Sequence, residues 1–309
     1  GEVLGLGANA DIVEAVRAVM KGEAVVRFPD KGCWKLDGAR LQTTPSFFAY
    51  LRVGDGCNNC CAYCAIPQIR GPLRSREMDS LLEEARSLAA NGVKELVLVA
   101  QDTTLYGEDL YGEARLPELL EELCKIDGLA WIRLLYCYPE HITDRLLDVM
   151  AAQEKILPYL DMPIQHCSGR VLKAMNRTGD AEWLRGLIAR IRRRVPGIVL
   201  RTTVMTGFPG EGEAEFEELC AFIQEMRFER LGCFAFSPEE GTPAASMGDQ
   251  VEDQVKRRRC DIIMEEQMGI AESFNQSLTG RTLEVVCEGY DRYAGSYFGR
   301  SRYDAPDID

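Results

Sequence analysis

Four cysteines fall within eight residues, Cys57, Cys60, Cys61 and Cys64, between Gly56 and Pro67, while the other eight of the twelve are isolated. Two metal chemistries compete for this loop. As paired Cys-x-x-Cys knuckles, Cys57/Cys60 and Cys61/Cys64 are donors for one tetrahedral zinc ion. Structural zinc sites, however, usually separate their pairs by about a dozen residues or more, so that the chain can loop around the ion. Taken instead as Cys57, Cys61 and Cys64, with three and then two residues between ligands, the loop supplies three thiolates to a [4Fe–4S] cube and leaves the fourth iron open. An open position is what separates a reactive metal centre from a structural one. The isolated cysteines read as small buried hydrophobes.

These thiols need elements to position them. Short apolar strands are expected near residues 50–53, 96–100, 131–136, 159–164, 198–205 and 231–236, each followed by residues at helical spacing. Ser80 and Glu83 suggest a capping box, Pro117 a helix start, Thr143 an N-cap, and a long last helix spans about Asp253 to Asn275. Six β/α units imply an α/β fold with a parallel sheet, because parallel strands need crossover helices. Periodicity alone leaves an open doubly wound sheet and an incomplete barrel equally available. In either, the cysteine loop follows the first strand at its C-terminal end, where such folds place ligands. Residues 1–42 stand outside the alternation, with one amphipathic helix (Ile12, Val13, Val16, Val19, Met20), and residues 276–309 turn to β character.

Composition narrows the setting. The 309 residues are 46% hydrophobic and 28% charged, which excludes a disordered chain. A formal net charge of −13 gives no overall attraction to DNA and mildly favours a basic partner. No apolar run approaches the roughly 18 residues of a membrane span. Glu2, Asp11, Glu14 and Arg17 argue against an export signal, so the cysteines point to metal or redox chemistry in a reducing, cytoplasmic compartment.

The three-then-two spacing, with Tyr63 just before the third ligand, resembles the radical S-adenosylmethionine (SAM) superfamily. The resemblance implies an incomplete (β/α)6 TIM-like barrel over residues 43–275. Its open iron chelates the amino and carboxylate groups of SAM, and one electron splits SAM into methionine and a 5′-deoxyadenosyl radical. Further segments resemble the methylthiotransferase branch, and within it the enzymes that act on an aspartate of small-subunit ribosomal protein twelve. They include Cys64 to Pro67, Ile69 to Gly71, Leu73 to Arg76, Tyr138-Pro139 with His141 to Thr143, and Leu160 to His166. Leu200 to Thr203, Phe236 to Pro243, Gly299 to Ser301 and Ala305 to Asp309 continue the likeness. Gly207 to Glu211 is read as functional by its place after the fifth strand, against a plain turn with an acid at a helix start.

That likeness implies more. The branch normally begins with a domain whose three cysteines hold a second [4Fe–4S] cluster, the source of the transferred sulfur. Residues 1–42, with lone Cys33, are expected to be the tail of that domain, and residues 276–309 the start of an all-β TRAM domain. SAM serves as methyl donor and as radical source, and the radical removes hydrogen from the aspartate β-carbon. An electron donor such as flavodoxin or ferredoxin is implied. Expected SAM contacts are Tyr63 near adenine and Gln101, Asp102 and Thr103 at the amino group. Gln165, Arg201 and Thr203 are expected at the carboxylate or ribose. Cys60 is expected to be a bystander, His141 and His166 receive no role, and the Arg192–Arg194 and Arg257–Arg259 runs read as solvated helix faces. The alternatives are a tRNA adenosine methylthiotransferase, whose relatives usually carry His at position 161, and a non-catalytic zinc-binding module.

Overall fold

The computed structural model describes residues 3–38 and 40–308. Glu2, Asp309 and the Cys33 side chain, named in the sequence analysis, lie outside the described residues. The central sheet holds six parallel strands among those described: β1 (Phe48–Arg52), β2 (Glu95–Val99), β3 (Trp131–Leu134), β4 (Ile156–Asp161), β5 (Val199–Thr206) and β6 (Arg230–Ala235). They lie side by side in chain order, and β1 does not pair with β6. A doubly wound sheet reverses its strand order at a switch point. Right-handed crossovers without reversal put every helix on one face and curl the sheet into an open barrel.

The long helices are α1 (Ile12–Met20), α2 (Met78–Ala90), α3 (Leu116–Cys124), α4 (Asp144–Ala152), α5 (Ala181–Arg194), α6 (Glu213–Met226) and α7 (Asp253–Ser277). Side-chain alternation along each strand separates two faces. Ala49, Leu51, Leu96, Leu98, Ile132, Leu134 and Leu200 pack outward against α2 to α7 in the main core. Phe48, Val97, Trp131, Leu157, Tyr159 and Val199 point to the concave side and form a second cluster. No helix among the described residues is long and apolar enough to cross a membrane.

Some local expectations shift. The fourth strand starts before Pro158, which lies at a register irregularity between β3 and β4, where a missing N–H leaves fewer ladder bonds unmade. No capping box forms at Ser80: α2 begins at Met78, and the Ser80 hydroxyl donates instead to Asp37 at 2.8 Å. Thr143 does cap α4, accepting from Leu146 N at 3.2 Å. The arginine runs are solvated only in part: Arg193, Arg257 and Arg258 are exposed, and the other three are not. Arg259 is buried against Glu211 (2.8 Å) and Glu213 (3.0 Å), and Arg192 and Arg194 bind carbonyls and acids of neighbouring elements.

The C-terminal stretch belongs partly to the barrel. A hairpin of β7 (Val285–Asp291) and β8 (Ser296–Ser301) leads into residues that enter the concave side. Ala305 joins the concave cluster, and Tyr50 donates its hydroxyl to Pro306 O at 3.4 Å. Arg300 reaches Glu95, which also holds Arg133 at 2.7 Å, so one carboxylate grips two guanidinium groups inside the barrel.

Candidate functional site

The loop after β1 is laced to its surroundings before any side chain faces the cavity. Gly56 has φ +78°, and a Cβ there would sit 2.1 Å from Pro72 O, so only glycine fits. Cys57 N donates to Gly71 O at 3.2 Å, and Asn58 Oδ1 accepts from Leu73 N at 3.0 Å. Ala62 bridges two segments: its N–H donates to Met175 O and its carbonyl accepts from Ala244 N, both at 2.9 Å. Asp55, buried beneath, pairs with Arg70 at 3.0 Å.

This scaffold opens onto a cavity of about 690 Å³ at the C-terminal ends of the strands. Cys57, Cys61, Tyr63 and Cys64 line one wall. Cys60 does not; it is exposed, has φ +49°, and its carbonyl accepts from Asn176 Nδ2 at 3.0 Å. Burial pushes the Cys57 and Cys64 thiols up, and does the same to the Tyr63 phenol. Gln101, Gln165, Arg201 and Thr203 line the same cavity. Arg201 is held by Asp161 at 2.9 Å, and Asp161 Oδ2 also accepts from Tyr136 N at 3.0 Å.

Asp102 and Thr103 are not among the residues that line this cavity. Thr103 donates its hydroxyl to Leu135 O at 2.6 Å and is fully buried. Asp102 accepts from Asn59 Nδ2 at 2.8 Å, faces His141 Nδ1 at 2.9 Å and also binds Thr104. Burial opposes the Asp102 charge, but these hydrogen bonds outweigh it and hold its carboxyl below the usual range. Burial likewise disfavours protonated His141, yet Asp102 wins and the imidazole is raised. The pair ties the cysteine loop to the segment after β3. Glu211, the acid of the Gly207–Glu211 motif, is buried under α7, accepting from Gly207 N at 2.9 Å and from Arg259.

Other lining residues carried little signal in the sequence. Arg52, Tyr136, Tyr138, Arg177, Phe234 and Ile308 complete the wall. Tyr138 lay inside a recognisable segment, but nothing local marked Arg177. Non-glycine residues with positive φ gather here: Tyr136 (59°) and Gln165 (66°) on the wall, Cys60, Asn176 and Asp307 beside it. Such backbone is sparsely populated and tends to occur at functional sites.

The donor set fits a thiolate-bound cluster. Cys57, Cys61 and Cys64 line one wall of the cavity, and a cube takes each thiolate on a separate iron. Gln101 Oε1 is a buried acceptor without a hydrogen-bond partner, which fits a ligand bringing an ammonium donor.

The radical SAM superfamily model matches residues 51–223. The chain is 47% identical over 308 residues to the ribosomal protein uS12 methylthiotransferase RimO of Caldanaerobacter subterraneus subsp. tengcongensis, covering 99% of this chain and 70% of that protein. It is 49% identical over 307 residues to the protein of the same name from Anaeromyxobacter sp. (strain Fw109-5), covering 99% and 65%. The chain thus spans about two thirds of the length of these curated relatives. Among solved structures it is similar to the radical SAM methyltransferase TsrM of Kitasatospora setae, with a TM-score of 0.52 at 18% identity over 64% of this chain and 38% of that one. The coproporphyrinogen III oxidase HemN of Escherichia coli gives a TM-score of 0.52 at 20% identity, over 74% and 52%. At those identities the likeness concerns the fold.

Proposed function

The chain belongs to the radical SAM superfamily and, within it, to the ribosomal protein uS12 methylthiotransferase family, and from that premise we propose that its barrel is the radical-generating core that methylthiolates the β-carbon of an aspartate in uS12. The observation that carries this reading is one cavity lined by Cys57, Cys61 and Cys64, but not Cys60, opposite the unpartnered Gln101 Oε1. Cys57, Cys61 and Cys64 would hold a single [4Fe–4S] cluster in this chain. When bound, such a cluster supplies the electron for reductive cleavage of SAM.

The chain's own residues bind and orient. Gln101 Oε1 accepts from the SAM amino group. Arg201, braced by Asp161, binds the carboxylate with Gln165 and Thr203, and Tyr63 packs near adenine. Asp102 and Thr103 act one layer back, through Asn59, His141 and the strand carbonyls. The apolar walls keep water from a radical that would otherwise be lost to side reactions. In the same reading, residues 43–275 form the core. Residues 1–42 are the end of a domain carrying a second cluster, and 276–309 lead into a TRAM domain. The enzyme is cytoplasmic and takes its electron from a flavodoxin or ferredoxin.

Anaerobic reconstitution with iron and sulfide tests this. The expected product is brown, carries about four irons per chain and forms 5′-deoxyadenosine from SAM. Alanine at Cys57, Cys61 or Cys64 abolishes colour and product, while Cys60→Ala keeps both. A colourless protein that retains zinc, or turnover surviving the triple Ala variant, overturns the reading. Mass spectrometry after incubation with uS12 or with tRNA decides the substrate; an adduct on tRNA alone refutes uS12.

A further inference from the structure

Tyr138 makes a contact that SAM binding does not explain. Its phenol oxygen lies 3.0 Å from Cys61 Sγ. A ligating thiolate has no proton to give, so with Cys61 on iron the phenol is the donor. The ring is held firmly. The Arg177 guanidinium carbon sits 3.8 Å from its centroid, and His141 stacks on it at 5.4 Å and 23°. Arg177 is itself buried, donating to Pro163 O at 3.1 Å and to Tyr63 Oη at 3.4 Å, with Glu140 at 3.5 Å. A cation over the ring face withdraws electron density and strengthens the hydroxyl as a donor.

The three thiols are therefore unequal. Cys57 Sγ accepts from the backbone N–H of Asn59 at 3.5 Å, and Cys64 from that of Ile66. Cys61 is met by a side-chain hydroxyl, which a substitution can remove, and the Tyr63 phenol stands beside the same sulfur.

We propose that Tyr138, polarised by Arg177, is a positioning residue that raises the reduction potential of the cluster by donating a hydrogen bond to Cys61 Sγ. The inference rests on the cluster reading above. Reduction adds negative charge that spreads onto the ligating sulfurs. A donor to sulfur therefore stabilises the reduced form more than the oxidised one.

Tyr138→Phe removes the hydroxyl and keeps the ring. In the anaerobically reconstituted full chain, iron content comes first, and then an EPR-monitored redox titration. The expected result is unchanged iron and a downward midpoint. The equilibrium shifts roughly tenfold toward the oxidised form, about 59 mV for one electron. The exchangeable-proton coupling of the Tyr138 hydroxyl to the reduced cluster should also vanish in Y138F, while those of the backbone N–H donors to Cys57 and Cys64 remain. An unmoved midpoint at full iron overturns the proposal, even where Y63F/Y138F moves, because the role then belongs to Tyr63. A Y138F chain that cannot take up iron also overturns it, in favour of a role in assembly. Absence of iron from the unsubstituted chain sinks the cluster reading itself, a separate failure.

Discussion

Glu95 allows a sharp test of how the barrel interior is held. Its carboxylate is fully buried between Arg133, 2.7 Å away and equally buried, and Arg300 from the C-terminal stretch. Burial pushes the Arg133 pKa down, and the Glu95 carboxylate opposes that. Glu95→Gln leaves buried Arg133 without a carboxylate and Arg300 with only Glu288, 3.0 Å away. Breaking a buried pair from one side costs about 3–5 kcal/mol. At about 2–4 °C per kcal/mol for a large domain, that is a fall of roughly 10 °C in Tm. Arg133→Met removes the same ion pair but leaves Glu95 matched with Arg300 and eliminates an unpartnered buried Nη2. Its cost is expected to be about 1 kcal/mol or less. Urea unfolding of the metal-free chain, followed by the fluorescence of buried Trp131, compares the two. Equal destabilisation by E95Q and R133M would refute the charge argument and leave only lost packing. Hydrogen exchange across residues 301–308 should also quicken in E95Q, since Arg300 anchors the stretch that carries Ala305 and Ile308.

Three other outcomes follow from the same geometry. Gly56→Ala, at φ +78° with Pro72 O in the way, should cost at least about 1–3 kcal/mol and impair iron uptake on anaerobic reconstitution; full uptake at native stability would show that the loop can shift. His141, raised by Asp102, contributes fully below its unfolded value of about 6.5 and loses that contribution as pH climbs through its raised folded value. Asp102, lowered, loses its contribution only as the pH falls into the acid range. The stability gap between the unsubstituted chain and His141→Gln should therefore be largest in mildly acidic solution and shrink toward alkaline pH; a gap constant with pH in denaturant titrations contradicts this. Glu211→Gln weakens the charge-assisted bond to Arg259, which keeps Glu213, so a loss of about 2 kcal/mol in urea midpoint analysis is expected with SAM cleavage retained. Loss of SAM cleavage at normal stability would return Glu211 to the active site.

Much of the molecule could be read from local pattern. Alternation of short apolar runs with helical spacing reports which face of each element is greasy, and that is a property of neighbours in the chain. Six β/α units, the Thr143 cap and the thiol spacing after β1 are all of this kind. The spacing also set Cys57, Cys61 and Cys64 apart from Cys60, whose left-handed backbone and exposure accord with that separation. Sequence was weakest where a polar residue had two plausible fates. Asp102 and Thr103 follow β2 closely, as Gln101 does, yet the chain there leaves the strand for a short 3-10 turn. Their side chains meet Asn59, His141 and Leu135 O instead of lining the cavity.

The residues alone thus determined the strand–helix alternation and a dense thiol loop at a strand end, because periodicity and spacing are encoded over a few positions. Tertiary structure decided the unreversed strand order, the burial of Arg259 and the grip of Glu95 on Arg300, 205 positions away. It also decided that Arg177 stacks on Tyr138 and that the Tyr138 phenol meets Cys61 Sγ. A buried charge must find its counter-charge wherever packing brings one, and no local pattern records which distant segment that will be.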